Sequence, residues 1–245
     1  MNCNNKSSER CVYKLERMYY SLFLRIAERN IDVITRTNLI RNSGFPYSKE
    51  EIANEIIFVH IPKTGGNSIA KAIFGTGGRG HYSLAQYYRS NPTLFRRSFK
   101  FGITRNPWDR IVSSFHYLKQ GGMTKSDKEF GDTFLANLNF GSFIVKLSDD
   151  NEYLTKVLRW IHFRPQIDFV QINNQTTMDY LGKLESIDEA LNAISEIVKR
   201  NVVIKKFNAS NHEDYRKYYK ESQLVDIVEN IYKRDVQQFG YCFEK

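Results

Sequence analysis

The residues best suited to chemistry stand in one short turn, Pro62-Lys63-Thr64-Gly65-Gly66-Asn67-Ser68. An apolar run from Ile56 to Val59 precedes this turn, and apolar residues at helical spacing follow it from Ile69. Glycines let the backbone approach an anion closely, and the free N–H groups of a helix start point toward it. Lys63 adds a positive charge, and the neighbouring side chains add hydroxyl groups. The order of strand, cationic turn and helix therefore predicts a phosphate-binding loop for a nucleotide-type ligand.

A second strand followed by a helix carries an arginine at the matching place. Phe99 to Thr104 reads as a strand, and Arg105-Asn106-Pro107-Trp108-Asp109-Arg110 leads into a helical pattern. Arg105 would therefore lie at the carboxyl end of a strand, where open α/β sheets bind ligands. Ser113, two helical turns on, could reach the same anion. The alternatives are a surface ion pair between Arg105 and Asp109 and a solvent-facing Ser113.

Together the two segments resemble the PAPS-dependent sulfotransferases, in particular the branch that includes carbohydrate O-sulfotransferases and their bacterial relatives. The first segment is similar to the family's 5′-phosphosulfate loop, and the second is similar to its 3′-phosphate-binding segment. Weaker similarities extend the match over most of the chain, roughly from Ile56 to Tyr241. They are Gly80-His81-Tyr82-Ser83-Leu84, Arg164-Pro165-Gln166-Ile167-Asp168-Phe169, Leu184-Glu185-Ser186-Ile187 and Phe239-Gly240-Tyr241. Asn67 departs from the family pattern, in which many members carry threonine.

The resemblance implies an α/β fold, with a P-loop-type parallel sheet flanked by helices, and a set of site residues. PAPS would be the sulfuryl donor, with no metal required, and a carbohydrate or glycoconjugate hydroxyl would be the acceptor. Arg105 and Ser113 would bind the 3′-phosphate. The residues expected to bind the 5′-phosphosulfate are Lys63, Thr64, Gly65, Gly66, Asn67 and Ser68.

Sulfuryl transfer also needs a base for the acceptor proton and a cation for the leaving phosphate. Lys63 suits the second role. His81 matches the family segment that carries a candidate base, and an unperturbed imidazole with a pKa of ~6.5 would suit it near neutral pH. Glu185 is the alternative base, although orienting a basic side chain is its simpler role. We expect His60 to be a histidine of the strand end or core, and His162 to pack against its aromatic neighbours.

Length and composition fit one α/β domain: 245 residues, 41% hydrophobic, with a formal net charge of +9. The positive charge suits an anionic donor, although nucleic-acid binding would also use it. Three cysteines near the termini predict reduced thiols and no disulfide framework. No apolar run is long enough for a membrane span, and no cleavable signal peptide is apparent, so we expect a bacterial-type cytoplasmic enzyme.

The chain divides into a predicted N-terminal extension, 1–54, and a sulfotransferase domain, 55–245. An amphipathic pattern predicts a helix over 11–29 in the extension, for which packing on the domain, dimerisation or peripheral membrane contact are the alternatives. Further helices are expected over 151–164, 186–200 and 221–238, and a short strand over 202–204. The oligomeric state is left open.

Two other functions compete with sulfuryl transfer. The first is a P-loop kinase of small molecules, although Lys63 precedes the glycines here, whereas the usual triphosphate loop reads G-x-x-x-x-G-K-[ST]. The second is a non-catalytic protein that binds anions or nucleic acid, which would need no base. We expect no nucleic-acid partner.

Overall fold

The computed structural model describes residues 45–77, 80–199, 202–204 and 213–243. The elements up to the first long helix are α1 (Lys49–Asn54), β1 (Ile56–Val59), α2 (Gly66–Phe74), α3 (Leu84–Ser90), α4 (Pro92–Arg97), β2 (Phe99–Thr104) and α5 (Pro107–Lys119). The later elements are α6 (Lys125–Phe134), α7 (Phe140–Asp149), α8 (Asn151–Arg159), α9 (Ile167–Val170), β3 (Gln171–Ile172), β4 (Gln175–Thr176), β5 (Tyr180–Lys183), α10 (Ile187–Ile197), α11 (Ser222–Ile231) and α12 (Lys233–Phe239).

The central sheet is parallel, with the strand order β1-β2-β5. Ile56 of β1 lies opposite Phe99 of β2, and Phe101 lies opposite Tyr180 of β5. Because all three strands run in the same direction, their carboxyl ends meet at one edge. The turns that follow β1 and β2 therefore emerge side by side, which is the place where such sheets bind ligands. A separate antiparallel hairpin joins β3 to β4.

Both faces of the sheet are covered, as the almost uninterrupted apolar character of β1 requires. One face packs Phe58 and Phe101 against α2 and α10. The other face packs Ile57 and Val59 against α3 and α9. A further apolar cluster, centred on Phe143, lies among α5 to α8 and α11. These layers confirm the predicted α/β fold with a parallel sheet flanked by helices.

The predicted helices differ from the observed ones mainly at their ends. The 151–164 and 186–200 patterns form α8 and α10, which end earlier than expected. The 221–238 pattern forms two helices, α11 and α12, which are separated at Tyr232. The strand predicted over 202–204 is wrong, because these residues are not part of a sheet.

Most of the predicted extension, with its amphipathic helix, lies outside the described residues. Within them α1 packs beside the sheet: the Glu51 carboxylate accepts hydrogen bonds from the Phe58 amide (3.1 Å) and the Tyr87 hydroxyl (3.2 Å). Cys242 is an exposed free thiol, and the other two cysteines lie outside the described part. In the ranges given above, every helix is too short or too polar to span a bilayer.

Candidate active site

The turn after β1 forms a concave backbone surface at the start of α2. Lys63 and Gly65 both have left-handed backbone conformations, with φ of 70° and 75°. Lysine adopts this conformation at a cost of about 1–2 kcal/mol, so the surrounding contacts must hold it there. The Thr64 hydroxyl donates to the Ile61 carbonyl (2.9 Å), inside the turn. Successive N–H groups in such a turn, ahead of a helix N-terminus, create an anion-binding surface.

Gly66 is required where α2 approaches the end of β1. A Cβ atom at this position would lie 1.9 Å from Cδ2 and 2.2 Å from Nε2 of His60. His60 is buried and stacks on Phe58, with ring centroids 5.7 Å apart. The expectation that His60 is a histidine of the strand end agrees with this placement.

Two arginines hold the carbonyl groups of the turn. Arg110 Nε donates to the Pro62 carbonyl (3.0 Å), and Arg105 Nη1 donates to the Lys63 carbonyl (3.0 Å). Arg110 is buried under the turn, and burial lowers the pKa of its guanidinium. Its Nη2 has no hydrogen-bond partner among the described residues. The carbonyl groups of the turn are therefore held by two buried arginine side chains.

Neighbouring residues also hold the backbone and the side chain of Arg105 in place. The Gln166 side chain forms two hydrogen bonds with the Arg105 backbone. Its Oε1 accepts from the Arg105 N–H (2.9 Å), and its Nε2 donates to the Arg105 carbonyl (2.7 Å). Arg105 Nε also donates to Asp109 (2.7 Å), which confirms that these residues pair, although Arg105 is buried and the pair is not a surface one. The buried carboxylate of Asp235 accepts from the backbone amides of Gln166 (2.8 Å) and Ile167 (2.9 Å).

Glu185 closes the turn that contains Arg105. Its carboxylate accepts a hydrogen bond from the Asn106 amide (2.6 Å) and another from the Tyr241 hydroxyl (3.3 Å). The Tyr241 hydroxyl also shares a hydrogen bond with the Thr104 hydroxyl (2.8 Å). We expected Glu185 to orient a basic side chain. Its partners are instead a backbone amide and a phenol, so Glu185 holds the backbone at Asn106.

Lys63 extends from the turn toward α5. Its Nζ lies 4.0 Å from the centre of the Tyr117 ring, a cation–π contact. Burial, followed by repulsion from Arg105 and Arg110, lowers the pKa of the Lys63 ammonium to about 8. An anion bound nearby would be stabilised by these cations and would favour the charged form of the lysine.

His81 lies beside His60, with ring centroids 4.3 Å apart. His81 Nδ1 is 3.0 Å from the His60 carbonyl oxygen, and because a carbonyl only accepts, Nδ1 must carry the hydrogen. Nε2 is then the basic nitrogen. The expectation of an unperturbed imidazole is wrong: burial, followed by repulsion from His60, lowers the pKa of His81 to about 3. The histidine is therefore neutral at pH 7.

The remaining residues predicted for the site lie on α2 and α5. Gly65 is the N-cap of α2, Ser68 lies in its first turn half-buried, and Asn67 beside it is exposed. Ser113 is buried on α5, two turns from Arg105. The alternative that Ser113 faces solvent is therefore wrong.

Sequence reasoning missed the pair His162 and Asp127. The His162 ring lies 5.8 Å from the His81 ring, and its Nε2 lies 3.2 Å from Asp127 Oδ1. His162 also contacts the Tyr117 ring, which agrees with the prediction that it packs against aromatic residues, but its contact with Asp127 was not predicted. The local signal was Thr124-Lys125-Ser126-Asp127, a helix-capping pattern that Met123 separates from Gly121 and Gly122.

Comparison with known proteins is consistent with this geometry. A family model described as the sulfotransferase family matches residues 51–242, which is most of the chain and includes every residue of the candidate site described in this subsection. No curated protein and no solved structure matches the chain. The sheet, the turn at Lys63 and the turn at Arg105 all fall within the matched range. The chain belongs to the sulfotransferase family, whose members transfer a sulfuryl group from a donor to an acceptor.

Proposed function

We propose that this chain is an O-sulfotransferase that moves the sulfuryl group of PAPS to a hydroxyl of a carbohydrate or glycoconjugate. The observation that carries the donor assignment is the 3.0 Å hydrogen bond from Arg105 to the Lys63 carbonyl. It joins the cationic turns of two neighbouring strands. A nucleotide with phosphate groups on both its 5′ and 3′ sides needs two adjacent anion sites of this kind.

The donor site is assigned by residue type and position. The turn from Lys63 to Ser68 would bind the 5′-phosphosulfate through its backbone N–H groups, the Lys63 ammonium and the hydroxyls of Thr64 and Ser68, with Asn67 at the helix start. Arg105 and Ser113 would bind the 3′-phosphate, because a planar guanidinium forms paired hydrogen bonds with phosphate oxygens. The buried Arg110 under the turn adds positive charge near the same anion.

The transfer step is an in-line displacement at sulfur. The acceptor oxygen forms a bond to sulfur, the bond from sulfur to the bridging phosphate oxygen breaks, and its electron pair stays on the phosphate. Lys63 would stabilise the negative charge that develops there. His81 Nε2 would take the hydroxyl proton, since its Nδ1 is already committed to the His60 carbonyl. No step requires a metal ion.

Family membership favours this function over the kinase alternative. The carbohydrate acceptor rests on the resemblance of the two motifs to the carbohydrate branch, and a cytoplasmic location is part of the same proposal. The non-catalytic alternative shares the anion site and differs only in having no turnover, so activity must be measured together with binding.

The first experiment compares thermal stabilisation by 3′-phosphoadenosine 5′-phosphate (PAP), ADP, ATP with magnesium, and a single-stranded oligonucleotide. A ligand at 100 times its Kd stabilises the folded state by about 2.7 kcal/mol. We expect PAP to raise the melting temperature most, and Arg105→Ala to abolish its advantage over ADP. Arg159→Ala, at an exposed position on α8, is the matched control. Equal shifts for PAP and ADP in the unmodified chain would refute the 3′-phosphate site.

The second experiment incubates the chain with radiolabelled PAPS and a panel of glycan acceptors. Labelled glycan supports the acceptor class. PAP binding without transfer to any glycan would contradict it. Labelling of a non-carbohydrate acceptor would agree with PAPS as the donor and would contradict a carbohydrate as the acceptor.

A further inference from the structure

A buried acid–histidine pair lies next to His81, with the His162 and His81 ring centroids 5.8 Å apart. His162 Nε2 is 3.2 Å from Asp127 Oδ1, and the two side chains are only 8% and 6% exposed. The Ser114 hydroxyl donates to the His162 carbonyl (2.8 Å), which fixes this histidine to α5. Burying a charged carboxylate is costly unless it is fully hydrogen-bonded, so a pair of this kind calls for a reason.

The chain positions Asp127 with several independent contacts. Its Oδ2 accepts from the Tyr117 hydroxyl (3.0 Å) and from the Thr124 amide (3.2 Å) at the start of α6. Gly122, with φ of 60°, lets the backbone pass close by, because a Cβ atom there would lie 2.3 Å from the Asp127 Cβ. Burial opposes ionisation, but the hydrogen bonds from His162, Thr124 and Tyr117 outweigh it and hold the pKa of Asp127 well below its usual range.

The hydrogen bonds fix which nitrogen of each ring is basic. A carboxylate only accepts, so His162 Nε2 carries a hydrogen and Nδ1 is left as an acceptor. This Nδ1 is buried and has no hydrogen-bond partner among the described residues. By the same logic His81 presents a basic Nε2. The two rings lie edge to face at 5.8 Å, a separation that a small ring rotation or one bridging water can close.

We propose that His162 and Asp127 form a proton relay behind His81, an inference that rests on the sulfuryl transfer proposed above. His81 Nε2 takes the proton of the acceptor hydroxyl as the oxygen–sulfur bond forms. His81 then shares that proton with His162 Nδ1, and Asp127 remains ionised and stabilises the resulting imidazolium. His162 and Asp127 act through His81, so both are positioning residues.

The charges around the rings explain why a carboxylate is needed. The titratable and charged groups that surround the two histidines come from the end of β1, the following turn, α5 and α6. They are His60, Lys63, Arg110, Tyr117 and Asp127. The cations among them disfavour a second positive charge on an imidazole. Asp127 is the carboxylate that contacts this group in the described part of the chain. Its removal should therefore make the base weaker.

The test compares Asp127→Asn and His162→Gln with the unmodified full-length chain. Asparagine keeps the shape and can still cap α6, so the fold should survive. The matched controls are Asp132→Asn, which removes an exposed carboxylate paired with Lys128 on the same helix, and His116→Gln on α5. We measure kcat against pH with a working acceptor, PAP affinity by calorimetry, and the titration of ¹⁵N-labelled histidines by NMR in the PAP complex.

We expect kcat to fall about 10- to 100-fold in both variants, part of the ~10²–10⁴-fold contribution of a general base. PAP affinity should change by less than about threefold. In Asp127→Asn the acid limb of the pH–rate profile and the His81 titration should both move to lower pH, because the negative charge that favours the imidazolium is gone. The control variants should match the unmodified chain.

A merely structural defect would lower kcat without moving the acid limb or the His81 titration, and that result overturns the relay. An unchanged kcat also overturns it. The NMR titration does not depend on turnover, so it decides the relay even if the unmodified chain transfers no sulfuryl group. An absence of sulfuryl transfer would contradict the proposed function but would leave the test of the relay intact.

Discussion

Replacing Gly66 by alanine tests whether the close approach of α2 to the end of β1 builds the donor site. The added Cβ would lie 1.9 Å from His60 Cδ2, and ordinary carbon–carbon contacts are about 3.5–4 Å. One of the two groups must therefore move by more than 1 Å, on the order of half a contact distance. His60 has little room to do so, because it is held between the rings of Phe58 and His81.

Overpacking of this kind costs about 1–3 kcal/mol of the free energy of unfolding, or about 2–12 °C in Tm for a domain of this size. The shift should also weaken PAP binding, since Gly66 belongs to the Lys63–Ser68 turn and is the first residue of α2. We would measure Tm by calorimetry and Kd by titration. Gly141→Ala on α7 is the matched control, because its Cβ meets its nearest atom at 3.5 Å; it should be neutral or stabilising by up to ~1 kcal/mol.

A double variant separates the clash from other effects of alanine. Combining Gly66→Ala with His60→Ala removes the atoms that collide and keeps the His60 carbonyl that accepts from His81. The two changes should therefore cost less together than the sum of their separate costs. Additive costs, or a Gly66→Ala protein with unchanged Tm and PAP affinity, would refute the reasoning.

Three further predictions concern the charged residues. Arg105→Lys keeps the charge but loses the planar fork, so PAP should bind about 10- to 100-fold more weakly by calorimetry, whereas an unchanged Kd would return Arg105 to a purely structural role. The kcat/KM for PAPS should fall as pH rises above about 8, where the free-enzyme Lys63 ammonium loses its proton, and this limb should disappear in Lys63→Arg; a limb that persists would belong to another group. Asp235→Leu removes the acceptor of two buried amides, so urea unfolding should show a loss of about 2–5 kcal/mol, and a loss below ~1 kcal/mol would mean that another group replaces the carboxylate.

The sequence was most informative where local pattern and chemistry coincide. β2 was predicted at its observed bounds, Phe99–Thr104, because apolar residues end at a turn and Pro107 marks the following helix start. The Lys63 turn was recognised because glycine, lysine and hydroxyl residues occur together within one short segment. Both signals involve neighbours in the chain, so spacing alone is sufficient to read them.

The missed parts of the site depend on contacts between distant residues. Asp127 and His162 are 35 positions apart, and nothing in either segment specifies that they meet. Their contact exists because α5 presents Tyr117 to one and Ser114 to the other. The pKa of His81 was misjudged for the same reason, since its burial is produced by the packing of several elements.

The contacts of Thr104 with Tyr241 and of Gln166 with Asp235 have a consequence for the order of events during synthesis. These partners are separated by 137 and 69 positions along the chain. A ribosome will have released β1, β2 and the Lys63 turn long before Asp235 and Tyr241 emerge. Closure of such distant pairs is slow, so the Arg105 turn should acquire its final shape last. A nascent chain would then carry a folded sheet but no competence for the nucleotide until its last helix docks.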